Sequence, residues 1–225
     1  INLLPPIMTG LGLFEGSLTW SDCSMKQLDR FLGFLLVNVL FVTTISGAIT
    51  DTVKFILQNE PAMFFMLLGA ALPRMSAFFL QYLVVKATIG MSMEINRGLA
   101  AMQMLLRWLL YLLFGLCPDV TYLDRKQIII GIRRWNNPGW LPFGKVYANL
   151  LLVMVISLVY ATMAPMVLIG GIMWFSYSQL VYRHSLLFVY EPRFETGGNF
   201  FPMVFRRMLY MLLISQATMC GIFIL

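Results

Sequence analysis

Residues 73–117 read PRMSAFFLQYLVVKATIGMSMEINRGLAAMQMLLRWLLYLLFGLC. A membrane crossing takes about 20 apolar residues, so this stretch is long enough to cross a bilayer and then continue. It carries Lys86, Glu94 and Arg97 in otherwise apolar company. Ionisable side chains at membrane depth are costly and face protein or water rather than lipid. The question these charges raise is whether the stretch borders a path through the membrane.

The composition around it points the same way. Of the 225 residues 60% are hydrophobic and only 12% charged, and the mean hydropathy is +0.80, too apolar for a surface that must be wetted. The expected fold is all-α, a polytopic transmembrane helical bundle. The net charge of +6 is read as orientation, because Lys and Arg are retained on the cytoplasmic side of membranes. No basic run is interleaved with aromatics, so no nucleic-acid partner is expected.

Cys23, Cys117 and Cys220 are scattered without metal-ligand spacing, and His184 has no Cys or His companion, so neither a disulfide framework nor a metal site is expected. There is no phosphate loop, nucleophile elbow or HExxH. An enzyme and a bound cofactor are not expected. The chain opens without Met and stops inside an apolar run, which reads as a fragment of a larger polytopic protein.

Taken in order, residues 1–30 read as the end of a preceding span, broken at Pro5-Pro6, and a cytoplasmic loop containing the polar run Ser21 to Arg30. A transmembrane helix is expected over 31–57, and an outer connection with a short interfacial helix over 58–72. Residues 99–117 pass a hydropathy test as a further crossing, but charge decides against it. If they crossed, Arg125, Lys126, Arg133, Arg134 and Lys145 would lie opposite Lys26 and Arg30. The expectation is instead one long bent helix over 73–117 with a cytoplasmic-side continuation, then a cytoplasmic loop over 118–145. A transmembrane hairpin over 146–190, tight around Pro165, leads to a cytoplasmic turn over 191–207 and a truncated transmembrane helix over 208–225. Thirteen of the sixteen Lys and Arg then share the cytoplasmic side, with Lys54 and Arg74 near the outer face and Lys86 in the membrane.

At 100° per residue, Ser76, Leu80, Leu83, Ala87, Gly90, Glu94, Gly98 and Ala101 share one face of the long helix. The rise from Ser76 to Glu94 is about 27 Å, which puts Glu94 near the inner boundary of the hydrocarbon core. A carboxylate there, on a stripe of small residues, attracts cations to the mouth of a pathway. Two plainer readings stand beside it: Glu94 and Arg97 as an i, i+3 pair that neutralises itself, and small residues that serve close helix packing. Gly90 is a candidate hinge, since glycine weakens a helix by roughly 1 kcal/mol relative to Ala, or a packing glycine. In the first span Thr43, Ser46, Gly47 and Thr50 share a face, able to replace hydration water or to join helices by hydrogen bonds. The candidate pore-lining residues are thus Glu94, Ser76, Ala87, Thr43, Ser46 and Thr50.

Several runs together resemble one family: Val181-Tyr182-Arg183-His184, Val189-Tyr190-Glu191-Pro192, Glu195-Thr196-Gly197-Gly198, Pro202 and Gln216. Pro5-Pro6 with Phe14-Glu15-Gly16, Val37-Asn38-Val39, Leu72-Pro73 to Phe78-Phe79 with Tyr82, and Leu158 to Ala161 with Pro165-Met166 extend the match over essentially the whole chain. The chain resembles the OSCA-type calcium-permeable stress-gated cation channels. That resemblance implies an eleven-helix fold with an outer N-terminus and a large cytosolic domain. It also implies a homodimer with one pore per subunit, of which this chain would cover the fifth to ninth helices counted from zero. It further implies a multi-pass protein of the plasma membrane, surrounded by lipid, that passes cations including calcium under mechanical or osmotic stimulus. Gly90 and Glu94 match the family's helix-bending glycine and permeation glutamate. Met93 stands where many members have Gly, and Lys86 where some plant members have Asp. The fold is also similar to that of anoctamins, which makes a lipid scramblase the alternative expectation.

Overall fold

The computed structural model describes residues 4–17, 19–42, 75–98, 101–102, 105–106, 108–109, 112, 139–191 and 195–223. Among them the regular structure is helical, with no strand. The helices are α1 (Leu4–Phe14), α2 (Trp20–Leu35, continued by a π-helical segment Leu36–Val42), α3 (Ser76–Ile95), α4 (Phe143–Tyr160), α5 (Pro165–Phe188) and α6 (Phe200–Phe223). α3 and α4 are long and apolar enough to cross a membrane. The chain divides into two compact units: 1–84, 142–175 and 194–225 in one, 85–141 and 176–193 in the other.

The first unit is built on α4. Its buried residues, among them Ala148, Leu151, Leu152, Val155, Ile156, Val159 and Tyr160, cover most of its circumference, as expected of a helix that is hydrophobic all round. α2 lies against it through Leu28, Phe31, Leu32 and Leu35. The approach is close: a Cβ at Gly144 would sit 2.7 Å from the Ser24 carbonyl oxygen. α6 joins the same core through Phe200, whose ring lies 6.2 Å from Phe143 and 5.7 Å from Tyr147. Phe79 of α3 packs on Tyr160 at 5.0 Å. Gly171 of α5 is held by proximity, since a Cβ there would collide with the Ser157 hydroxyl. Ser157 Oγ, Tyr160 Oη and Trp174 Nε1 are buried without a hydrogen-bond partner among the described residues.

The structure corrects the expectation of a loop through the polar run 21–30. These residues are helical, capped by Thr19, whose hydroxyl accepts from the Asp22 amide at 3.2 Å, while Asp22 suits the positive end of the helix. Pro5 and Pro6 do not break the chain either; they occupy the first turn of α1, where proline's missing amide is no loss. Gln27 Nε2 donates to the Pro5 carbonyl at 2.9 Å. Glu15 receives the Arg30 guanidinium, and that hydrogen bond holds the Glu15 carboxyl below its usual range. Asp29 and Arg207 tie α2 to α6: Nη2 donates to Oδ2 at 2.7 Å, and Nε lies 2.7 Å from Oδ1 without hydrogen-bond alignment. Residues 200–207, expected in a turn, are the first two turns of α6. The turn before them is made by Gly197 and Gly198, both in the left-handed region at φ 56° and 81°.

Candidate functional site

The second unit holds the far half of α3, the far half of α5 and the segment that follows α5. α3 changes character on entering it. From Lys86 to Gly90 the helix is π-helical before Met91–Ile95 return to α. Such one-turn widenings are rare and concentrate at functional sites. Gly90 closes the widened turn and is exposed. A Cβ on it would meet only the Lys86 Cγ, at 3.7 Å, so packing does not demand glycine here. Ala87 and Met91 are buried at 5% and 6% exposure, continuing the stripe that begins at Phe79 and Leu83.

α3 ends sooner than a helix running to 117 would. Asn96 caps it, and Arg97 takes the left-handed conformation at φ 50°, a position that glycine or asparagine normally fills at a helix end. The Asn96 amide continues the helical ladder to the Ser92 carbonyl at 3.0 Å, and the Arg97 amide turns back to the Glu94 carbonyl at 3.2 Å. Residues 98, 101, 102, 105, 106, 108, 109 and 112 are helical again, and Met102, Leu105, Trp108 and Leu112 are exposed. The reason is local: Asn96 and Gly98 bracket Arg97, and a Cβ at Gly98 would crowd the Met93 carbonyl oxygen at 3.3 Å.

Glu94 is therefore in the last turn of a helix, where the backbone carbonyls carry the negative end of the dipole. A carboxylate there needs a donor. It finds one in Tyr190, whose hydroxyl donates to Glu94 Oε1 at 2.9 Å. Tyr190 follows the end of α5, and its backbone is well tied. The amides of Val189 and Tyr190 both reach the Ser185 carbonyl, at 3.0 and 2.9 Å, and the Glu191 amide reaches the Gly139 carbonyl at 3.1 Å. A tyrosine phenol ordinarily titrates at about 10, so Tyr190 is a donor across physiological pH. Tyr182 also lies within electrostatic reach of Glu94. On the same stretch of α5, Ser178, Val181 and Ser185 are buried at 2%, 1% and 3% exposure.

Of the candidate residues, Ala87, Gly90 and Glu94 fall in the second unit and Ser76, half-buried, in the first. Thr43, Ser46 and Thr50 lie outside the described residues. Among the described residues no group of three His, Cys, Asp or Glu is placed to hold a metal. His184 is exposed, its ring 5.2 Å from Phe188. The partner that the sequence reading missed is Tyr190, which stands 96 positions from Glu94, beyond the reach of any helical spacing.

Two apolar helices of membrane-crossing length, one ending at a half-buried carboxylate that accepts from a tyrosine hydroxyl, fit a helical membrane protein. Residues 1–223 match the family described as "Calcium-dependent channel, 7TM region", and the chain belongs to that family. It is 27% identical over 220 residues to hyperosmolality-gated Ca2+ permeable channel 1.7 of Arabidopsis thaliana, covering 98% of this chain and 26% of that protein. It is 28% identical over 226 residues to channel 3.1 of the same plant, covering 98% and 29%. It is 25% identical over 225 residues to the CSC1-like protein ERD4 of Brassica juncea, covering 98% and 28%. The chain thus spans little more than a quarter of the length of these relatives.

Proposed function

We propose that this chain is the pore-forming region of a mechanically or osmotically gated, calcium-permeable cation channel. The full protein would be a homodimer in the plasma membrane, embedded in lipid, with Glu94 beside the permeation path and Gly90 the point at which α3 yields. Ser76 and Ala87 of α3, and Thr43, Ser46 and Thr50 of the first span, are the further pore-lining candidates. Membership of the channel family supports the general activity. The observation that carries the site is the half-buried Glu94 carboxylate at the end of α3, supported by a neutral phenol.

Tension favours whichever state occupies more membrane area, so a channel of this kind opens when stretched. A charge 4 Å from a cation in water-like surroundings is worth on the order of 1 kcal/mol, about a fivefold change in local cation occupancy. In pressure-clamped patches of the full-length protein, Glu94→Ala is expected to lower calcium permeability and unitary conductance by about that factor. Unchanged conductance and permeability would remove Glu94 from the pathway. Lipid scrambling in reconstituted vesicles, read by dithionite quenching of labelled lipid, without any stretch-evoked current, would overturn the channel reading itself.

A further inference from the structure

A channel carboxylate has two conflicting duties. It must draw the cation in, and it must release it, because conduction fails when the site binds too tightly. A bare carboxylate in a half-buried setting errs toward retention. Glu94 is not bare: Oε1 already accepts from the Tyr190 hydroxyl at 2.9 Å.

Three features make this contact a built one. The Glu94 backbone is fixed by the tightened end of α3, where the Arg97 amide folds back on its carbonyl at 3.2 Å and the Asn96 amide bonds the Ser92 carbonyl at 3.0 Å. The Tyr190 backbone is fixed by the paired amide bonds to Ser185 and the Glu191 bond to Gly139. The phenol also stays protonated, since a tyrosine hydroxyl ordinarily titrates at about 10, far above physiological pH. A donor held this way does not leave when pH changes, so it competes for the carboxylate constantly.

Resting on the placement of Glu94 beside the path, we propose that Tyr190 is a specificity-determining residue of the channel. Its hydroxyl shares the Glu94 carboxylate with the passing ion and so weakens the site's preference for divalent over monovalent cations. The phenol is neutral, so it dilutes the carboxylate's charge without adding a cation's repulsion. Hydrogen bonds to charged groups are among the stronger ones, and removing this one frees an oxygen for the ion.

The test is Tyr190→Phe in the full-length protein, which keeps the ring and loses only the hydroxyl. Reversal potentials are recorded in pressure-clamped patches with calcium on one side and potassium on the other. The expected result is a rise of about tenfold, near the lower end of the worth of a hydrogen bond to a charged group, in the calcium-to-potassium permeability ratio, with a smaller unitary calcium current. In a Glu94→Ala background the same substitution is expected to leave the ratio unmoved. A ratio that stays constant or falls with Tyr190→Phe alone overturns the proposal, and so does an equal rise in the Glu94→Ala background. A purely structural clamp would alter expression or threshold but not the ratio. If Glu94→Ala changes permeation while Tyr190→Phe does not, only this inference fails. If Glu94→Ala leaves permeation unchanged, the placement of Glu94 beside the path and this inference fall together, and if the wild-type protein passes no stretch-evoked current, the channel reading falls with them.

Discussion

Gly90 sits in a widened helical turn, where an added Cβ makes only an ordinary van der Waals contact, with the Lys86 Cγ at 3.7 Å. Alanine fits there without displacing any described neighbour, so Gly90→Ala acts through the backbone alone. Alanine favours helix over glycine by about 1 kcal/mol. If α3 yields at this residue during gating, Gly90→Ala shifts the pressure of half-activation while surface expression stays at the wild-type level. An unchanged pressure threshold removes Gly90 from the gating motion. Gly98 offers the contrast, because a Cβ there meets the Met93 carbonyl oxygen at 3.3 Å and its sulfur at 2.6 Å. The same chemical change costs packing at one glycine and only freedom at the other. From sequence the two glycines are eight positions apart on one helical face and look alike.

The helices differ in how far their sequences announce them. α4 is nearly all apolar, and an apolar run of its length states its own burial. α2 was harder, because Ser21, Asp22, Lys26, Asp29 and Arg30 dominate the eye over 20–30. Its apolar stripe was present all the same: Cys23, Leu28, Phe31, Leu32 and Leu35 recur at helical spacing and are all buried, and Thr19 stands three places before Asp22 as a cap. The end of α3 was legible in Asn96 and Gly98, but the placement of charge, which makes 99–117 a cytoplasmic-side continuation of the same helix, carries the reading past it. What no pattern within α2 or α4 shows is how closely they approach. Gly144→Ala places a methyl 2.7 Å from the Ser24 carbonyl and 3.0 Å from Gln27 Oε1, and overpacking of this kind costs about 2 kcal/mol. Thermal unfolding of the purified full-length protein is expected to show that loss. Gly10→Ala in α1, with nothing within 4 Å of its added carbon, serves as the control and is expected to be neutral or stabilising.

Across the molecule, the contacts that matter most join residues far apart in sequence. Asp29 and Arg207 are 178 positions apart, as invisible to spacing as Glu94 and Tyr190. Their side chains are 35% and 31% exposed, so water screens the pair and its worth is modest despite the paired geometry. A double-mutant cycle with Asp29→Asn and Arg207→Gln on the full-length protein is expected to give a coupling of about 0.5–1 kcal/mol. A coupling near zero would mean that aromatic packing around Phe200, not charge, fastens α6 to the α2–α4 core. Family membership was legible because it is carried by many short runs spread along the chain, while the site was legible only by half. Glu94 announces itself as a carboxylate among apolar residues. Tyr190 does not, since a tyrosine after a helix has many uses and only the folded chain brings it to a charge.

The π-helical segment in α3 has a further consequence. A π turn accommodates one residue more than an α-helix would over the same rise, so Lys86 to Gly90 hold a spare residue within a twenty-residue rod. Recasting that turn as α-helix lengthens the rod by about 1.5 Å and turns everything beyond it by about 100°. Glu94 hangs from the part that turns. α3 therefore carries the makings of a screw: the pitch of one short segment, rather than an angle between two rigid arms, sets the direction in which the carboxylate points.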